Sequence, residues 1–210
     1  MSISIISGAG TDVLTVDPTS KAGRVTPYDS LGAEINAAPI GCYCLPIRIV
    51  QSAASVAGVT VWAMRLVNTS TKKVKIKKIH LAIGFAGGTA TVTVSEYDLV
   101  RFSAATPTLG TAITVVKKKS SYGASDVTDA RFLDTGLTTT GITFETAFAM
   151  VGCGRNLGAV QNFGVDFSSG GGNRDFEAFE LRAGEGFAIR LGIVAVIGDY
   201  IEGFVTWDEV

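Results

Sequence analysis

Charge is what this sequence has least of. Only 18% of its 210 residues are Asp, Glu, Lys or Arg, below the roughly 25% of an ordinary globular domain. Its 18 basic residues nearly balance 19 acidic ones, for a net charge of −1. That balance excludes a nucleic-acid binder whose affinity comes from neutralising phosphates. An apolar fraction of 47% excludes intrinsic disorder. Cysteine is scarce: the odd set Cys42, Cys44 and Cys153 is no disulfide scaffold. Cys42 and Cys44 would supply two of a zinc ion's four ligands, leaving Cys153 and the single histidine, His80, to complete a set with no zinc-motif spacing. Small buried apolar thiols are the simpler expectation. No stretch of twelve residues repeats apolar positions with helical period. The longest apolar run, residues 187–205, is broken by Arg190, Asp199 and Glu202 and alternates, which predicts strand and excludes a transmembrane helix. Residues 1–8 lack the basic start and apolar stretch of a secretory leader, so the chain is expected to be made in a reducing cytoplasm. No period of 20–50 residues repeats, and neither G-x-x-x-x-G-K-[ST] nor G-x-S-x-G occurs.

What is abundant points to an all-β chain. Glycine supplies 25 residues, and Val, Ile and Thr recur in alternation. Residues 59–68 are apolar in both phases, the pattern of a strand covered on two faces. In residues 74–85 the phase changes at Lys77 and Lys78, which predicts a β-bulge. Residues 89–95 alternate Ala90, Val92 and Val94 with threonine. Further strands are expected at 112–116, 142–151, 163–167 and 176–181. The longest alternation runs over 187–197 (Phe187, Ile189, Leu191, Ile193, Ala195, Ile197), and 201–207 closes the series. About eight strands with uneven connections predict a jelly-roll β-sandwich over residues 47–210. Residues 1–46 are poorer in apolar pattern and are expected to form an extended N-terminal arm or peripheral hairpins, ordered against this domain or a neighbour. A positive mean hydropathy suggests burial of apolar surface against other copies or a partner.

Each chemical motif has a structural alternative. Gly152, Gly154 and Gly158 imitate a dinucleotide loop, but the spacing is G-x-G-x-x-x-G and a strand pattern follows where a helix is required. His80 stands in a strand with nothing to place it in a triad. Asp126, Asp129 and Asp134 suit either calcium or a solvated loop with Asx turns, and the loop is preferred. Glu202, Asp208 and Glu209 are carboxylates of the kind a glycosidase pairs, without evidence of convergence. Trp62 and Trp207 suit a sugar platform or, more commonly in sandwiches, the core. Two basic runs, Lys72, Lys73, Lys75, Lys77 and Lys78, then Lys117, Lys118 and Lys119, form a candidate face for docking on an acidic protein lattice or polyanion. The equal alternative is a sheet edge guarded by lysine. No cofactor, catalytic residue or metal ligand is assigned.

Four stretches carry a resemblance: residues 19–35 (TSKAGRVTPYDSLGAEI), 61–85 (VWAMRLVNTSTKKVKIKKIHLAIGF), 126–135 (DVTDARFLDT) and 179–209 (FELRAGEGFAIRLGIVAVIGDYIEGFVTWDE). Together they resemble virion structural proteins of tailed bacteriophages. The resemblance implies a non-enzymatic, self-associating protein with a jelly-roll body at the virion surface, assembled in the host cytoplasm. The expected role is a capsid decoration or cement protein, a homotrimer bound to the major capsid protein of the same phage, with no nucleic-acid or membrane partner. A short chain without fibrous repeats, and an arm able to lie along a lattice, favour that role. The alternative is a tail, baseplate or receptor-binding component that takes a host surface glycan.

Overall fold

The computed structural model describes residues 15–16, 23–24, 41–85, 94–154, 160–166 and 179–210. Two compact units divide at Ala38 and Pro39. In the first, Met1–Ala38, strands β1 (Thr15–Val16) and β2 (Gly23–Arg24) pair antiparallel, Thr15 opposite Arg24. Residues 41–46 of the expected arm are strand of the second unit; the rest of it, beyond β1 and β2, lies outside the described residues.

The second unit, Pro39–Val210, holds two antiparallel sheets packed face to face, with no helix among the described residues. Its strands are β3 (Gly41–Val50), β4 (Thr60–Leu66), β5 (Val74–Phe85), β6 (Val94–Ser103), β7 (Thr111–Ala112), β8 (Val116–Lys117), β9 (Val127–Phe132), β10 (Thr143–Phe144), β11 (Ala149–Gly154), β12 (Gln161–Asp166), β13 (Phe179–Leu181), β14 (Gly186–Leu191) and β15 (Asp199–Glu209). One sheet runs β10-β6-β14-β4-β9-β7, with β11 also on β6. The other runs β12-β5-β15-β3-β8, with β13 also on β5. With β9, which extends the first sheet beyond β4, and the strands of two or three residues set aside, the order is β11-β6-β14-β4 in one sheet and β12-β5-β15-β3 in the other. The fold is a β-sandwich.

Alternation sets the core. In β3, Tyr43, Leu45, Ile47 and Ile49 point between the sheets, where they meet Trp62, Met64, Phe187, Ile189, Val205 and Trp207. The domain boundary expected at Pro46 falls inside β3, which pairs with β15 over its full length, Gly41 opposite Glu209 and Val50 opposite Tyr200. Its outward partners Cys42, Cys44, Pro46 and Arg48 weaken the apolar signal of this stretch without weakening its buried phase.

β4 is buried at every residue, as its two-sided pattern predicts. A second cluster explains the outer face. Ala63, Val100, Phe102, Ala188 and Leu137 are buried together under Leu133, Ile142, Phe144 and Ala147, residues of the long connection between β6 and β11. That connection folds back over the first sheet, and β9 within it extends the sheet beyond β4. Gly186 is needed here, because a Cβ would collide with the Phe102 ring and the Met64 carbonyl. In β5 the predicted bulge is present: Thr206 faces Lys78 and Trp207 faces Ile76, so Lys77 has no opposite number.

Three expected strands change. The run 187–197 ends at Leu191; past it the chain turns, and Ile197 is exposed. The run 142–151 splits into β10 and β11. The run 112–116 is two short pieces, β7 and β8. In β6 the strand extends to Ser103, although Glu96, Asp98 and Arg101 interrupt its apolar pattern. Residues 89–93, 167 and 176–178 of the expected strands lie outside the described residues.

Candidate docking surface

The two lysine runs meet the same end of the second sheet by different routes. Lys72 and Lys73 close the turn between β4 and β5, and Lys75, Lys77 and Lys78 lie on β5. Lys117 lies on β8, at the edge beyond β3, and Lys118 follows it, its backbone N–H donating to the Cys42 carbonyl at 3.0 Å. β15 and β3 separate β5 from β8, placing the two groups roughly 14 Å apart at the usual strand spacing.

Most of the first run is matched by carboxylates. Lys72 Nζ donates to Asp126 Oδ1 and to Glu209 Oε2, each at 2.9 Å. Glu209 is fully buried, and its other oxygen accepts from the Ser125 hydroxyl and, at 3.0 Å, from the Asp126 backbone N–H. Ser70 donates to the second oxygen of Asp126 at 2.7 Å. Burial opposes the charge on Lys72, but the hydrogen bonds with Asp126 and Glu209 outweigh it and raise the ammonium pKa. The hydrogen bond from Lys72 holds the Asp126 carboxyl below its ordinary value, against burial and with help from Ser70. Lys77 pairs with Asp208 at 3.0 Å and Lys75 with Glu180 at 3.5 Å. Lys78 lies in register between Thr206 and Asp166. The first run is therefore chiefly a lock joining the turn before β5, the long β6–β11 connection and the end of β15.

The second run is exposed. Lys117, Lys118 and Lys119 project at the edge of the sheet, and Lys119 lies 5.7 Å from the centre of the Tyr122 ring. The docking face expected from eight lysines thus has its most accessible charge in three of them, on an edge strand where lysine also opposes unwanted strand pairing.

The chain matches no family model, no curated protein and no solved structure.

The other singled-out residues are dispersed. Among the described residues no three His, Cys, Asp or Glu side chains gather as a metal site. Cys42 donates to Asp208 at 2.7 Å; burial, then this carboxylate, raise its thiol pKa, and burial does the same for Cys44. Cys153 lies on β11 in the other sheet. His80 is half-buried on the outer face of β5, its ring 5.4 Å from Phe204. Asp126 serves the lock, while Asp129 accepts from Thr106 at 3.3 Å. Glu202 pairs with exposed Arg48 at 3.4 Å. It lies six residues, roughly 20 Å of strand, from Asp208, too far for the 5–10 Å of a glycosidase pair. Asp208 and Glu209 point to opposite faces. Trp62 and Trp207 are fully buried, packed on Phe187 and Tyr43. Gly152 and Gly154 end β11, and β12 is the next element; residues 155–159 lie outside the described residues.

Two polar features escaped the sequence reading. Arg65, almost wholly buried, donates to Gly184 O at 2.9 Å, Thr106 Oγ1 at 2.6 Å and Asn68 Oδ1 at 2.7 Å. A shallow groove of about 390 Å³ is lined by Gly58, Thr60, Thr135, Thr139 and Arg190. Within it, Arg190 donates twice to Gly58 O and stacks over Phe144 at 4.3 Å. Apart from Asn68, three residues from Arg65, the partners of both arginines are distant in sequence, so only folding assembles these sites.

Proposed function

We propose that this protein is a non-enzymatic structural component of a tailed-bacteriophage virion, a decoration or cement protein that binds the outside of the head shell as a homo-oligomer. The observation that carries the reading is the strand order. β12-β5-β15-β3 facing β11-β6-β14-β4 is the arrangement of two nested Greek keys, which supports a jelly-roll body. Viral capsid and lectin domains use that architecture, so the step from fold to role is an analogy joined to the sequence resemblance.

In this reading each copy covers joints between shell subunits. Apolar area removed from water contributes about 25 cal/mol per Å², and an oligomer sums weak contacts through effective concentration. Lys117, Lys118 and Lys119 offer an exposed basic edge to an acidic shell. The major capsid protein is the proposed partner, and no chemistry is required.

The test is the amount of this polypeptide in purified virions relative to the major shell protein. Comparable amounts are expected. A small fraction would move it to the tail or baseplate, and its absence would overturn the virion reading. The groove beside Arg190 favours a second reading, a receptor-binding component whose hydroxyl-lined cleft takes a host glycan. That reading expects glycan-array binding that Arg190→Ala removes.

A further inference from the structure

We infer that the groove beside Arg190 is a binding site for a carboxylate-bearing sugar. The inference rests on the glycan reading of this groove given above and adds the class of sugar. Arg190 Nε and Nη2 donate to the Gly58 carbonyl at 3.1 and 2.8 Å, and the Phe144 ring centre lies 4.3 Å from the guanidinium carbon. Of the five N–H hydrogens of a guanidinium, these bonds use two and leave both on Nη1 and one on Nη2. Those three form the end of the fork that matches a carboxylate with two parallel hydrogen bonds. Among the described residues no carboxylate forms an ion pair with Arg190. Asp98 is its opposite number on β6. The Asp98 carboxylate lies beside Gly192, however, whereas Arg190 turns the other way, toward Gly58 before β4.

A β-bulge brings a second group to the same place. Ile189 faces Trp62 and Arg190 faces Thr60, so Val61 is an extra residue in β4. Val61 and Trp62 both enter the core, and the change of phase carries Thr60 to the outer face beside Arg190. Without the bulge, the alternation of Leu66, Met64 and Trp62 would turn Thr60 inward. Thr60 is 2% exposed and lines the groove, and its buried hydroxyl has no hydrogen-bond partner among the described residues. An unpaired buried hydroxyl costs free energy that a ligand hydroxyl recovers. The other wall is fixed on β4: Leu133 N–H donates to Val61 O at 3.0 Å and Leu137 N–H to Thr60 O at 2.7 Å. The loop held by these bonds adds Thr135 and Thr139 to the lining.

The lining selects the ligand. The groove's volume of about 390 Å³ falls within the roughly 300–1,000 Å³ of small-molecule sites. Arg190 is the one charged side chain among the described residues that line it, and Thr60, Thr135 and Thr139 supply hydroxyls. One cation beside several hydroxyls suits a molecule with one carboxylate among several hydroxyls of its own. A phosphate or an acidic peptide brings more negative charge than a single guanidinium balances, and a peptide brings few hydroxyls.

NMR titration of the full-length chain with methyl glucuronide and methyl glucoside tests this, because the two differ only by a carboxylate in place of a hydroxymethyl group. The glucuronide is expected to bind about tenfold more tightly, as a charge-assisted pair should, with shifts at Gly58, Thr60 and the Arg190 Nε–H. Arg190→Gln should bring the glucuronide down to the affinity of the glucoside. Thr60→Val keeps the shape of the side chain and should weaken both sugars about fivefold without lowering the thermal midpoint. Equal binding of the two sugars by the wild-type chain overturns the acidic class and leaves the glycan reading standing. Failure of both to bind at about 10 mM, tenfold above a millimolar dissociation constant, overturns the inference and the glycan reading together. Glutamate or inorganic phosphate binding as tightly as the glucuronide, or shifts confined to residues away from the groove, also overturns the inference.

Discussion

At one end of the sandwich, Lys72, Asp126 and Glu209 are joined by hydrogen bonds of 2.9 Å across 54 and 137 residues of sequence. At the other, Val56, Val194 and Ile197 face solvent on a platform of paired backbone. Both ends are held by strands of the same two sheets, and their energetics are opposite. The Lys72 lock satisfies its charged groups within the chain; a buried carboxylate such as Glu209 is tolerable only with its cation and donors in place. The other end leaves apolar side chains in water, where their area costs free energy. The contrast sets charges neutralised within the fold against apolar side chains left in water.

Four measurements sharpen or break that contrast. The largest effect belongs to the core both ends share: Trp207→Ala, which removes a fully buried ring stacked 5.8 Å from Tyr43, should cost about 3–5 kcal/mol by urea titration. Next, Lys72→Met strands buried Glu209 without its cation and should cost about 3 kcal/mol. Adding Glu209→Gln should recover part of that loss. An effect near zero would mean that the lock contributes nothing and the contrast fails. Third, the Asp126 carboxyl has a lower pKa folded than its ordinary 3.8. Its stabilisation is therefore complete above that ordinary value and is lost as pH falls through the folded value. The urea midpoint followed from pH 6 to pH 2 should show an acid loss that shrinks in Asp126→Asn. The smallest effect is expected for Arg48→Ala, where an exposed pair at 3.4 Å should contribute under about 0.5 kcal/mol. A larger value would show that surface charge away from the lock also stabilises the fold.

Much of the second unit was legible in alternation. β5 with its bulge at Lys77, the two-sided burial of β4 and the closing strand β15 follow from side-chain phase, a local property of the chain. Failures fall where phase and environment part. Alternation continues from Phe187 to Ile197, but only Gly186–Leu191 is strand, because its partner β4 reaches no further than Thr60, opposite Arg190. β9 was invisible, since Asp129 and Arg131 occupy a strand whose other face alone is buried. The eight lysines could be found in sequence; their division into a neutralised group and an exposed one could not, because Asp126, Glu180, Asp208 and Glu209 reach them from other strands.

The sequence alone determined that this chain is all-β, that residues 59–68 form a strand covered on two faces, and that Ile79, Leu81 and Ile83 share one phase after a bulge at Lys77 and Lys78. Those properties depend on residue type and on a two-residue period, which neighbouring residues specify without reference to the rest of the chain. Tertiary structure alone decided which lysines keep their charge exposed, that Arg65 and Arg190 find carbonyl partners, and that Val56, Val194 and Ile197 stay exposed at one end. These outcomes depend on which strands become neighbours, a choice made by burial summed over the whole sandwich rather than by any local stretch.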